Sequence, residues 1–133
     1  MRRSYTGRTV TSLLAVDIGN TNITIGAFDD QELTATWRLA TRETRTIDEH
    51  AWALKGILQS KGVEPSSFDA VVICSVVPPL TEDYVEALAS LTDVTPLVIG
   101  PGVRTGIRIH YDRTQDVGAD RIVDAVAAHQ LYG

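Results

Sequence analysis

A mixed α/β sheet, an antiparallel meander followed by parallel strands covered by helices, is the fold the sequence predicts. Three observations predict it. The stretches 13–17, 22–28 and 33–39 are apolar or alternating and lie close together with polar turns between them. From Thr46 on, segments of helical spacing alternate with short apolar runs. The chain has 133 residues and 44% hydrophobic content, enough to bury one core and matching a single domain.

Residues 1–12 read as a disordered leader ahead of a domain spanning 13–133. The leader is polar and carries Arg2, Arg3 and Arg8, and the apolar run after it, Leu13-Leu14-Ala15-Val16, is too short for a signal-peptide core before Asp17 interrupts it. The first strand is 13–17. The second, 22–28, alternates, and the third, 33–39, follows the turn Asp29-Asp30-Gln31-Glu32. A polar, charged loop occupies 41–45. Thr46 or Asp48 can then cap a helix whose Ile47, Ala51, Leu54, Ile57 and Leu58 follow helical spacing, with Gly62 placed to end it. Polar 64–67 leads into a fully apolar strand, 70–73. Pro78-Pro79 breaks the chain and starts a second helix with Leu80, Tyr84, Leu88 and Leu91 along one face. A short buried strand is expected at 95–99. Gly100-Pro101-Gly102 and Gly106 then precede an alternating strand, 107–111, and a long helix, 122–130, with Ile122, Val123, Val126 and Ala127 inward. That helix carries almost no charge beyond Asp124 and should be mostly buried. No segment approaches the ~18 to 20 apolar residues of a membrane span.

The formal net charge is -5, and because the leader holds three of the 12 basic residues and no acidic one, the remainder is more acidic still. Such a balance argues against a nucleic-acid surface, which needs a basic face. It leaves room for a nucleotide, whose phosphates backbone amides and a metal can hold. Cys74 is the only cysteine and lies in an apolar run, so it reads as a buried structural thiol, with neither disulfide nor thiolate cluster. His50, His110 and His129 show no ligand spacing and read as structural or solvated. Trp37 and Trp52 read as packing residues, since no basic groove surrounds them.

The most informative stretch is Asp17-Ile18-Gly19-Asn20-Thr21-Asn22, between the first strand and the alternating Ile23-Thr24-Ile25-Gly26-Ala27-Phe28. It delivers a carboxylate, a glycine and small polar side chains into a tight turn. Gly19 has no Cβ, so an anion can approach the backbone, and Asn20, Thr21 and Asn22 offer amide and hydroxyl donors. This is the chemistry of a phosphate loop, with Asp17 suited to Mg2+ held through its water shell. A hairpin in which Asn and Gly satisfy turn geometry is the plainer alternative.

A second candidate is Asp116-Val117-Gly118-Ala119-Asp120-Arg121, which opens the long helix at its anion-attracting end. Asp120 suits a general base and Arg121 a bidentate clamp for carboxylate or phosphate. The alternative is a first-turn acid beside a solvated arginine.

Taken together, Asp-Ile-Gly-Asn-Thr-Asn at 17–22, Ser75-Val76-Val77-Pro78, Gly100-Pro101-Gly102-Val103-Arg104-Thr105-Gly106 and Val117-Gly118-Ala119-Asp120-Arg121-Ile122-Val123 resemble the type III pantothenate kinases in order and spacing, over essentially 13–133. The resemblance implies a ribonuclease-H-like lobe of the actin, hexokinase and heat-shock ATPase superfamily, and ATP-dependent phosphorylation of pantothenate at its primary hydroxyl, the first step towards coenzyme A. It implies a protein that is usually a homodimer, using ATP, Mg2+ and a monovalent cation, K+ or NH4+, and the short apolar run after the leader reads as that of a cytoplasmic protein. Carried over by residue, Asp17, Ile18, Gly19, Asn20, Thr21, Asn22, Ile23 and Thr24 form the ATP loop, with Asp17 near the Mg2+. Asp120 matches the proton acceptor. Gly118, Ala119, Asp120 and Arg121 hold pantothenate, and Tyr111 sits where the family commonly contacts it.

Two departures stand out. Asp112-Arg113-Thr114 follows Tyr111 where relatives often read Asp-Asn-Pro, and that loop is less rigid. The family's second lobe, with its own Asp-Phe-Gly-Thr-like motif and cation site, is expected after Gly133, so the chain reads as a fragment that is inactive alone. Two further hypotheses stand beside the kinase: a non-catalytic, transcription-associated relative, and a stand-alone interaction or oligomerisation lobe.

Overall fold

A computed structural model of the chain describes residues 12–30 and 32–99. Its five strands form one sheet: β1 (Ser12–Ile18), β2 (Asn22–Asp29), β3 (Glu32–Ala40), β4 (Ala70–Ser75) and β5 (Leu97–Ile99). They lie in the order β3-β2-β1-β4-β5, antiparallel through the meander and parallel from β1 to β4 and β4 to β5. Two helices connect them, α1 (Ile47–Ser60) before β4 and α2 (Pro78–Thr92) between β4 and β5. The mixed sheet expected from the sequence is therefore present.

Central position explains the composition of β1. Its residues from Leu13 to Ile18 are all buried, on both faces of the sheet, with β2 and β4 flanking the strand. Leu14, Val16 and Ile18 point to one face, where Ile23, Ile25, Val71 and Ile73 meet Leu54 and Leu58 of α1 and Leu80, Tyr84 and Leu88 of α2. Each such side chain, fully buried, stabilises the fold by about 1.5–3 kcal/mol. The opposite face carries a smaller cluster, Leu13, Ala15, Phe28, Ala70 and Val72. The sheet thus has an apolar floor on both sides, and polar groups collect at the carboxyl end of β1.

The chain begins its first strand at Ser12, the last residue assigned to the leader. Ser12 N–H donates to Asp69 Oδ2 at 3.1 Å and its carbonyl accepts the Asp69 N–H at 2.8 Å, which fixes the strand end. At α1, Thr46 is the cap. Its hydroxyl accepts the Glu49 N–H while the Glu49 carboxylate accepts the Thr46 N–H, a reciprocal capping box. That bond to the Thr46 backbone holds the Glu49 carboxyl below its ordinary range. Gly62 follows the helix with φ of 73°, the left-handed conformation a glycine adopts at least cost. α2 starts at Pro78-Pro79, whose missing N–H groups cost nothing in a first turn.

Three expectations need correction. β5 is shorter than expected and is not buried: Leu97 and Val98 are 39% and 43% exposed, since β5 is paired only with β4 among the described residues. Trp52 is 80% exposed and packs on nothing in the core, because the buried positions of α1 are His50, Leu54 and Leu58 and two residues along a helix lies on another face. Trp37 does pack into the core, with the Lys61 ammonium 5.4 Å from its ring centroid. Cys74 is half-buried, in the row of side chains described below.

His50 is structural, as one of the two expected readings had it, and its environment is unusual. It is 1% exposed, stacks at a tilt on Tyr84 with ring centroids 4.8 Å apart, and has no hydrogen-bond partner on either ring nitrogen. Burial pushes its pKa below 6.5; Asp83 of α2 and Glu49 of α1 oppose the shift, and Arg45 in the preceding loop adds to it. Burial likewise pushes the Tyr84 phenol up to about 12, so it stays neutral beside the ring. The fold holds the neutral imidazole, so the corresponding stability is complete above the ordinary value of 6.5 and is lost as pH falls below it towards the lowered folded value. His50→Leu is expected to remove this acid loss. It should also raise stability at neutral pH by about 1 kcal/mol, because two unsatisfied buried nitrogens disappear. Thermal unfolding from neutral pH down to about pH 5 checks both effects; parallel acid limbs in the two proteins would refute the assignment to His50.

Candidate functional site

Pairing register builds the site. In the row Arg38, Thr24, Asp17, Cys74 and Ile99, each residue is the cross-strand partner of the next, from β3 through β2, β1 and β4 to β5. Directly opposed residues share a sheet face, so the row runs along the face opposite the helices, at the carboxyl end of β1. Asp17 is 5% exposed, Thr24 and Cys74 are half-buried, and Arg38 is exposed. Here the sheet's apolar floor gives way to polar groups, and Cys74 keeps part of its surface. Its neighbour in the row is the Asp17 carboxylate.

Beyond Asp17 the backbone turns. Gly19 N–H donates to the Asn22 carbonyl at 2.9 Å, closing a tight connection between β1 and β2. A Cβ built on Gly19 would lie 3.0 Å from that same carbonyl oxygen, so a side chain there would push the turn open. Asn20, Thr21 and Asn22 are exposed. The hexapeptide is thus a hairpin turn that sets three exposed polar residues beside a buried carboxylate.

Ser75-Val76-Val77-Pro78 serves this turn as a backstop. Val76 N–H donates to the Ile18 carbonyl at 3.0 Å, tying the end of β4 to the end of β1. The buried Ser75 hydroxyl accepts the Val77 N–H at 3.0 Å and lies 3.2 Å from the Val77 carbonyl oxygen, pinning the entry to α2. The start of α2 is a poor anion site, because Pro78 and Pro79 carry no N–H and Leu80 N–H is taken by the Val77 carbonyl at 2.9 Å.

Of the eight residues assigned to the ATP loop, Ile18 and Ile23 are fully buried in the core under the helices, so only their backbone is available to a ligand. Asp17 and Thr24 share the row, and Gly19, Asn20, Thr21 and Asn22 make the turn above it. Tyr111, Gly118, Ala119, Asp120 and Arg121 lie outside the described residues, as do His110 and His129. Sequence reasoning missed Thr41, which reaches the turn from the end of β3. Its only sequence signal was its place just after a strand paired with β2.

Among the described residues no three of His, Cys, Asp and Glu stand together as a metal cage. A single buried carboxylate beside hydroxyl and amide oxygens fits Mg2+, which keeps much of its water and takes further ligands from phosphates.

A five-stranded sheet in this order, antiparallel through the meander and parallel beyond it, defines a class, the ribonuclease-H-like fold. The fold resembles the ROK hexokinase from Thermus thermophilus, with a TM-score of 0.50 at 17% identity, covering 67% of this chain and 33% of that one. It also resembles Thermus thermophilus RuvC, with a TM-score of 0.57 at 10% identity, covering 91% of this chain and 94% of that one. Identities this low speak for the fold alone. Within that class, the sequence profile described as type III pantothenate kinase matches residues 13–133, and the chain belongs to that family. Similar proteins named type III pantothenate kinase occur in Dehalococcoides mccartyi, 46% identical over 120 residues, covering 90% of this chain and 46% of the relative. Another, from Halalkalibacterium halodurans, is 44% identical over 121 residues, covering 91% of this chain and 48% of the relative. The chain thus spans about half the length of the curated relatives it matches.

Proposed function

We propose that the protein encoded by the full natural reading frame transfers the γ-phosphoryl group of ATP to the primary hydroxyl of pantothenate, with this chain contributing the first phosphate turn. The observation that carries the reading is the buried Asp17 carboxylate at the head of an exposed Gly19-Asn20-Thr21-Asn22 turn, in a member of this family. Catalysis of this type is mostly positioning and charge stabilisation. The turn binds and orients phosphate oxygens through its donors, and the Ile18 and Ile23 side chains anchor it from below. Asp17 would hold Mg2+, which supplies charge neutralisation on the phosphates when bound. Asp120 accepts the proton of the attacking hydroxyl. Gly118, Ala119 and Arg121, with Tyr111, hold the pantothenate.

Several finer features belong to the same proposal: a K+ or NH4+ requirement, a homodimer, a cytoplasmic location and no nucleic-acid partner. Its support is the family membership, the acidic balance, and the finding that no helix among the described residues is long and apolar enough to cross a membrane. The test is ATP-dependent phosphorylation by the full-length protein with Mg2+ and K+ or NH4+, offering pantothenate, N-acetylglucosamine and glucose in parallel. ADP release that depends on pantothenate alone is expected. A folded protein that binds nucleotide and phosphorylates none of the three, or only a sugar, would overturn the reading.

A further inference from the structure

Thr41 follows β3 at the point where the ladder with β2 would continue, one residue past the Asn22–Ala40 pair. Its N–H donates to the Thr21 carbonyl at 3.0 Å, and its hydroxyl donates to the Gly19 carbonyl at 2.7 Å. One residue therefore takes two of the carbonyls in a turn only a few residues long. The remaining inward bond, Gly19 N–H to the Asn22 carbonyl, closes the same turn from within.

The consequence follows from peptide geometry. In a planar trans peptide the C=O and the next N–H point opposite ways. Holding Gly19 C=O against Thr41 therefore turns the Asn20 N–H away from β3, and holding Thr21 C=O does the same for the Asn22 N–H. Without the hydroxyl bond, the Gly19–Asn20 peptide has a low-cost alternative, because the flip turns ψ of Gly19, which has no Cβ, and φ of an asparagine, a residue that tolerates the left-handed region. A flipped peptide would present a carbonyl oxygen where an anion needs a donor.

We infer that Thr41 is a positioning residue of the phosphate turn: its hydroxyl sets the orientation of the Gly19–Asn20 peptide so that the turn presents amide donors, not carbonyl oxygens, to anionic oxygens of the triphosphate. This rests on the reading of the turn as the site of ATP phosphates. Thr41 spends both its hydroxyl and its N–H on carbonyls of the turn. It acts through the carbonyls it holds, so its effect should fall on nucleotide affinity and spare the other substrate.

The test compares Thr41→Val, which keeps the shape and the backbone N–H but loses the hydroxyl, with Thr41→Ser, which keeps the hydroxyl, both in the full-length protein. Thr41→Val is expected to raise KM for ATP about tenfold, the worth of one lost hydrogen bond, with KM for pantothenate within about twofold and Thr41→Ser near the wild type. An unchanged KM for ATP in Thr41→Val, or a Thr41→Ser variant as impaired as Thr41→Val, overturns the inference. Calorimetric binding of the non-hydrolysable β,γ-imido analogue of ATP separates it from the proposed reaction. If wild-type protein binds the analogue but phosphorylates no pantothenate, the functional reading fails, and the analogue's Kd in the two variants still decides the role of Thr41.

Discussion

Replacing Asp17 by asparagine in the full-length protein is expected to lower kcat for phosphoryl transfer by about a hundredfold or more without unfolding it. The side chain is 5% exposed and lies between Thr24 and Cys74 in a row of cross-strand partners, so its surroundings are set by the sheet. Asparagine has the same shape, and the main-chain ladder of β1 to β2 and β4 does not use the carboxylate. What the substitution removes is a negative charge at the end of the central strand. A carboxylate is a much stronger ligand for a hard divalent cation than a neutral amide, and the phosphates need that cation to offset their charge as the bond to the leaving oxygen breaks. The Mg2+ concentration for half-maximal rate should therefore rise along with the fall in kcat. Steady-state rates across an Mg2+ titration measure both, and thermal unfolding measures the fold. A variant with wild-type rate and Mg2+ dependence would show that Asp17 is only a buried acid at a strand end.

Much of this arrangement was legible in the sequence because it depends on local pattern. β1 and β4 are apolar on consecutive residues, which only a strand covered on both faces requires, and β2 and β3 follow at meander spacing. A cap at Thr46 or Asp48 and the double proline at α2 mark their helices directly, and the structure selects Thr46. What stayed hidden depends on neighbours far apart in the chain. Thr41 sits in a polar run and looked like loop; its role comes from the Gly19 carbonyl, 22 residues away, which it reaches only after β2 and β3 pair. Cys74 lies in an apolar run, and its place beside Asp17 follows from the parallel register, which only the folded sheet reveals. Trp52 invited a packing reading by residue type, yet the phase set by His50, Leu54 and Leu58 turns it to solvent. β5 read as buried from its composition, although burial of an outer strand depends on what lies beside it.

Asp120→Asn should be at least as damaging to turnover as loss of Asp17, and in a different way. Asp120 lies outside the described residues, and its assignment rests on Gly118-Ala119-Asp120-Arg121 within the matched span. An amide preserves the size and can still hydrogen-bond the substrate hydroxyl, but it cannot take the proton. Loss of a positioned base costs about 10²–10⁴-fold in rate. Phosphoryl transfer tempers this, since in a loose transition state the attacking oxygen has formed little of its new bond and keeps much of its proton. A fall in kcat of about a hundredfold to a thousandfold is therefore expected, with KM for pantothenate little changed and the acid limb of the pH–rate profile abolished. Mg2+ dependence should stay that of the wild type, whereas Asp17→Asn should shift it and keep the acid limb. If Asp120→Asn instead raised KM for pantothenate and left kcat and the pH profile intact, Asp120 would be a binding residue and the proton would leave by another route.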